Sequence, residues 1–86
     1  MVHDGDFVAI FQSMHRVLKA EKILKQEAVD FLLIPTPREL SSACGLAIRF
    51  EAGSKERIEA ILQREDLVPK ELFVKNSVGY HLVAEG

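Results

Sequence analysis

The chain has 86 residues, a hydrophobic fraction of 48%, a formal net charge of −2 and a single cysteine. That describes one globular domain: it is too apolar for a disordered chain, and with a pI near 5.9 it lacks the basic surplus of a nucleic-acid binder. One cysteine cannot close an internal disulfide, no apolar run approaches the length of a membrane span, and no secretory leader is visible, so a cytoplasmic protein of bacterial type is expected.

Residues 1–6 read as a loose start to a domain spanning 1–86. Phe7–Phe11 (FVAIF) has the apolar, β-rich character of a strand and is apolar on both parities, so it needs cover on both faces. Ser13 is placed to cap a helix over Met14–Ala28, on which Met14, Val17, Leu18, Ala20, Leu24 and Ala28 fall on one side and Lys19, Lys22 and Gln26 opposite. Glu21 falls inside the apolar arc, either leaning to solvent at its rim or holding a loop arginine. Asp30–Ile34 (DFLLI) is a second strand, stopped by Pro35 and Pro37. Thr36-Pro37-Arg38-Glu39 has the pattern of a helix start, which predicts a short helical turn from Pro37 to about Ser42 with Thr36 as its cap and Gly45 near its end.

Leu46–Phe50 (LAIRF) is a third strand, with Leu46, Ile48 and Phe50 on one face and Ala47 and Arg49 on the other. Gly53 and Ser54 lead into a second helix whose inner side carries Ile58, Ile61, Leu62 and, at its end, Glu65. After a connection over Leu67–Pro69, Leu72–Lys75 is a strand, Asn76–Gly79 a turn and Tyr80–Ala84 a last strand. This order predicts an α+β, ferredoxin-like βαββαβ two-layer sandwich: two helices on one face of an antiparallel sheet, with a possible extra C-terminal edge strand. The opposite sheet face would then be bare and apolar, which predicts a homodimer through that face.

Chemistry concentrates between residues 35 and 50. Cys44 has two readings. A lone cysteine is among the most often buried residues, and its parity matches Leu46, Ile48 and Phe50. Yet it lies where a polar loop feeds a strand, beside Gly45, which leaves one flank of the sulfur open. A thiolate needs cationic or amide support, and Arg38 and Arg49 are the cations nearest in sequence. Together these favour an at least partly accessible Cys44. Thr36, Ser41 and Ser42 supply hydroxyls able to hold a small anion. The three histidines match no metal-ligand spacing and no nucleophilic triad, and no phosphate-binding glycine loop is present, so no metal and no cofactor is expected.

The stretch AEKILKQEAVDFLLIPTPRELSSACGLAIRF, residues 20–50, carries a resemblance. Its AEK on the first helix, its IPTPRE loop and its CGLAIRF strand resemble a family of small bacterial proteins described as selenium or sulfur carrier-like. The resemblance implies that Cys44 accepts and donates sulfur or selenium as a persulfide or selenopersulfide, with Gly45, Arg38 and Arg49 beside it, while Thr36 and Ser42 stay the loop's expected ligand-binding hydroxyls. It implies a protein donor and a protein acceptor, and no independent turnover. The other reading, by analogy with small ferredoxin-like domains, is a non-catalytic binding or assembly module. In that case the 36–45 loop holds a small anion or a protein partner, and Cys44 is packing.

Overall fold

The computed structural model describes residues 2–40 and 44–86. Among these residues five strands and two helices follow one another as β1 (Phe7–Ile10), α1 (Met14–Gln26), β2 (Leu32–Pro35), β3 (Leu46–Phe50), α2 (Lys55–Arg64), β4 (Glu71–Asn76) and β5 (Gly79–Glu85), with a 3-10 turn over Ala52–Ser54 leading into α2. The strands form one antiparallel sheet in the order β2-β3-β1-β4-β5. The class is α+β and the chain order βαββαββ. It is roughly ferredoxin-like, departing from the six-element pattern by β5, which pairs outside β4.

Local chemistry explains the helix ends. Ser13 has extended backbone and accepts the Arg16 amide at 3.3 Å, capping α1 as its sequence position predicts. Two residues of the expected helix are not helical, because Ala28 adopts a left-handed conformation at φ 57°. The Val29 amide then reaches back to the Leu24 carbonyl and the Ala28 amide to that of Lys25. The same pair of bonds ends α2: Leu67 to Leu62, Asp66 to Gln63, with Asp66 at φ 58°. Both are Schellman closures without the usual glycine, and the residue after each turn packs with the main core: Leu67 within it and Val29 against it.

That core lies between helices and sheet. Val17, Ala20 and Leu24 of α1 and Ile58, Ile61 and Leu62 of α2 pack on Ala9, Ile48, Phe50 and Leu72. The rings of Phe7 and Phe50 stack at 5.6 Å. Met14 and Leu18, expected on the inner side of α1, are instead 43% and 42% exposed. The sheet takes the arc centred on Val17, Ala20 and Leu24, so the neighbouring arc faces solvent. Glu65 likewise lies outside the core and pairs with Arg64.

The second sheet face is not bare. Val8, Ile10, Ile34 and Ala47 form a cluster of their own, with Val8 fully buried, and Leu40 closes over them with help from Val2, Phe73 and Tyr80. The 36–40 segment folds back across the sheet through a turn in which the Leu40 amide donates to the Pro37 carbonyl. Residues 2–6 are tied down as well: the Gly5 amide donates to Lys75 and the Lys75 amide to Asp6. The centre of the apolar face from which a homodimer was inferred is therefore covered within one chain by Leu40 and Val2, while Leu32 and Leu82, on the same face by register, stay 49% and 47% exposed towards its two edges.

Candidate functional site

Cys44 stands two residues ahead of β3 and belongs to the helix-side core. It is 3% exposed, and its thiol donates to the Leu46 carbonyl at 3.2 Å. The expected accessible thiol is thus overturned for this arrangement. The parity it shares with Ile48 and Phe50 carries the side chain under the helices, and the polar loop before it does not hold it out in solvent.

Thr36 does not cap a helical turn. Residues 37–40 form a turn with no helix among the described residues, and the Thr36 side chain turns the other way, across the mouth of the β2–β3 connection. Its hydroxyl donates to the Cys44 carbonyl at 2.9 Å and its amide to the Gly45 carbonyl at 3.0 Å. These bonds continue the β2–β3 ladder by one step beyond the Pro35–Leu46 pair. The hydroxyl that was to meet an anion is spent on the backbone that presents Cys44. Gly45 does not occupy the left-handed region, and a Cβ there would meet nothing within 4 Å among the described residues. Its role is therefore not the conformational one its place after a turn suggested.

The two arginines separate. Arg49 points to the sheet face opposite Cys44, as its alternation with Ile48 and Phe50 requires. There its Nε donates to Asp6 Oδ2 at 2.9 Å, and its Nη2 lies 3.5 Å from Glu51. The Arg49 side chain is 12% exposed and that of Asp6 7%. Arg49 is consequently a structural partner of Asp6 and does not lie beside the sulfur. Burial pushes the Asp6 carboxyl upward, but the His3 amide and the Arg49 guanidinium together outweigh it and hold the group below its ordinary value. Arg38 is exposed on the 37–40 turn. Ser41 and Ser42, with the end of the expected helical turn, lie outside the described residues. Glu21 pairs with Lys25 at 3.0 Å and holds no loop arginine.

Three residues that organise this region escaped the linear reading. Asp6 stands two residues before Val8, the register partner of Arg49, so it is the diagonal neighbour of Arg49 across the β1–β3 pair. The parity of the two strands could have disclosed it. Leu40 and Tyr80 had no local signal. Tyr80 and Thr36 flank an apolar groove of about 310 Å³ on the second face, also lined by Val2, Ile34, Pro35 and Pro37. Burial there, followed by the nearby charge of Glu39, raises the Tyr80 phenol above its ordinary value. Among the described residues no group of three or more His, Cys, Asp or Glu side chains could hold a metal ion, and no helix is long and apolar enough to cross a membrane.

A family model described as "Putative Se/S carrier protein-like" matches residues 6–74. The match runs from Asp6 into β4 and includes the whole of the Thr36–Arg49 region, and it leaves β5 outside. No curated protein and no solved structure matches the chain.

Proposed function

The chain belongs to the Se/S carrier-like family, and from that premise we propose that it carries a sulfur or selenium atom on Cys44. The observation that carries the reading is the family match over the segment that presents the chain's sole thiol. In the loading step the Cys44 thiolate attacks the outer sulfur of a donor persulfide. A new S–S bond forms at Cys44, the donor's S–S bond breaks, and the donor cysteine leaves as a thiolate. One sulfane sulfur moves with no net oxidation, and the same exchange delivers it to an acceptor thiol. Selenium moves by the same attack. The donor and the acceptor are proteins, and a reducing cytoplasm suits an unbridged carrier thiol.

Because Cys44 is 3% exposed, attack requires the thiol to leave its contact with the Leu46 carbonyl. The closed arrangement then serves a second purpose, which is to shield a loaded persulfide from water and stray thiols. The same burial favours another reading, a non-catalytic module in which Cys44 only packs.

The two readings separate in one experiment. The native protein is incubated with glutathione persulfide and its intact mass is measured, with Cys44→Ser as the control. A mass gain of one sulfur atom, lost on reduction and absent from the control, supports the carrier. A thiol that gains no sulfur, and that resists a disulfide reagent until the protein is denatured, supports the packing role.

A further inference from the structure

Charge is unevenly placed along this chain. Helix α1 holds four cations (Arg16, Lys19, Lys22 and Lys25) against the single carboxylate of Glu21, whereas the rest of the chain holds seven against twelve. Arg16 is engaged with the Asp66 carbonyl at 2.7 Å and Lys25 with Glu21. Lys19 and Lys22 are exposed and make no ion pair among the described residues. The first turn of α1 has no acidic residue and instead carries His15 and Arg16 at the positive end of the helix dipole. Lys19 and Lys22 are three residues apart, close enough to repel. Helix stability alone accounts for none of these choices.

At 100° per residue, Met14, Leu18, Lys22, His15 and Lys19 fall in one arc, beside the arc buried on the sheet. Met14 and Leu18, large and apolar, are 43% and 42% exposed within it. The arc also begins, at Met14, at the thiol's end of the molecule. Strands β1 and β2 both run antiparallel to β3, so both end where β3 begins. Helix α1 starts just past β1 and Cys44 lies just before β3.

We infer that the outer arc of α1 is a docking surface for an acidic protein partner, with Met14 and Leu18 seated in an apolar recess and Lys19 and Lys22 facing carboxylates. The inference rests on the carrier reading, since a carrier must dock with its donor and its acceptor close to the thiol. Charge complementarity selects the occupant. A lipid surface needs a broad apolar helix face, and here that face (Val17, Ala20, Leu24) is already spent on the chain's own sheet. A polynucleotide would meet the carboxylate surplus of the rest of the chain.

The test is an amide NMR titration of the full chain with a short synthetic glutamate–leucine peptide. A lysine–leucine peptide, phosphatidylglycerol vesicles and oligothymidylate serve as comparisons. The expected result is shifts confined to Met14, Leu18, Lys19, Lys22 and their neighbours with the acidic peptide, weakened by added salt. Lys19→Glu/Lys22→Glu should raise the dissociation constant about tenfold and Leu18→Ser about fivefold, with helix content unchanged. Absence of α1 shifts, shifts that the double variant leaves unaltered, or tighter binding of vesicles or oligothymidylate overturns the inference. Cys44→Ser should bind the acidic peptide as the parent does. Failure of sulfur loading is therefore read separately, by mass, from failure of docking.

Discussion

Thr36 holds Cys44 by its backbone: the threonine hydroxyl donates to the Cys44 carbonyl at 2.9 Å, while the threonine amide takes the carbonyl of Gly45 at 3.0 Å. Two bonds from one residue set where the chain enters β3 and therefore where the thiol points. Threonine at this position governs how readily the cysteine emerges, although it touches no sulfur.

Thr36→Val keeps the size and the amide bond and removes the hydroxyl bond. The expected loss of stability is about 1 kcal/mol. Labelling of Cys44 by a disulfide reagent under native conditions should quicken by a larger factor than the change in global stability accounts for, because local opening is easier. Thr36→Ser should restore the slow rate. Equal labelling rates in all three proteins would show that Thr36 does not control the thiol.

Asp6 ties residues 2–6, β1 and β3 together through Arg49. Its folded-state value lies below the ordinary carboxylate value. The stability it contributes is thus fully present above the unfolded value and is lost as pH falls through the lowered folded value. Asp6→Asn should flatten the acid limb of the stability–pH curve. It should also cost about 2 kcal/mol at neutral pH, because the charge-assisted Arg49–Asp6 bond is lost and only the more exposed Glu51 remains beside the guanidinium. Urea midpoints at neutral and acid pH measure both effects.

Ala28 and Asp66 occupy left-handed positions at φ 57° and 58°. Glycine pays no Cβ penalty there, so Ala28→Gly should stabilise the protein by about 0.5–1 kcal/mol. Asp66→Gly should gain less, since aspartate tolerates this region better than alanine. Arg16 bonds the Asp66 carbonyl and not its side chain, so that contact survives the change. Thermal denaturation of the two variants gives the comparison.

Leu40 is the chain's own cover over Val8 and Ile10. Leu40→Ala should cost about 2–3 kcal/mol. It should also open the centre of the second sheet face to solvent, seen as increased binding of a hydrophobic dye and a rise in self-association by light scattering relative to the wild type. A variant that loses stability but binds no dye would place the cover elsewhere.

What the sequence determined by itself is whatever short-range chemistry dictates. The alternation of LAIRF put Ile48 and Phe50 on one face and Arg49 on the other. Ser13 marked the start of α1, the Asn76–Gly79 turn marked a hairpin, and the order of elements pointed to the α+β class. The residues that carry the family resemblance were legible for the same reason, since they lie together in the chain. Tertiary structure decided the rest. Periodicity defines an apolar arc on α1 but not its rotation on the sheet, so Met14 and Leu18 came out exposed. Both helices end on left-handed residues with no glycine to announce them, closed by the backbone bonds of Val29 to Leu24 and of Leu67 to Leu62. Leu40 covers the second face from a position 32 residues beyond Val8 in the chain. Arg49 met Asp6 because two strands, 43 residues apart at that pair, adopted one register. Cys44 lies under the helices on the side that its parity with Ile48 and Phe50 marked, but only the packed core decided that this parity prevailed over the polar residues around it.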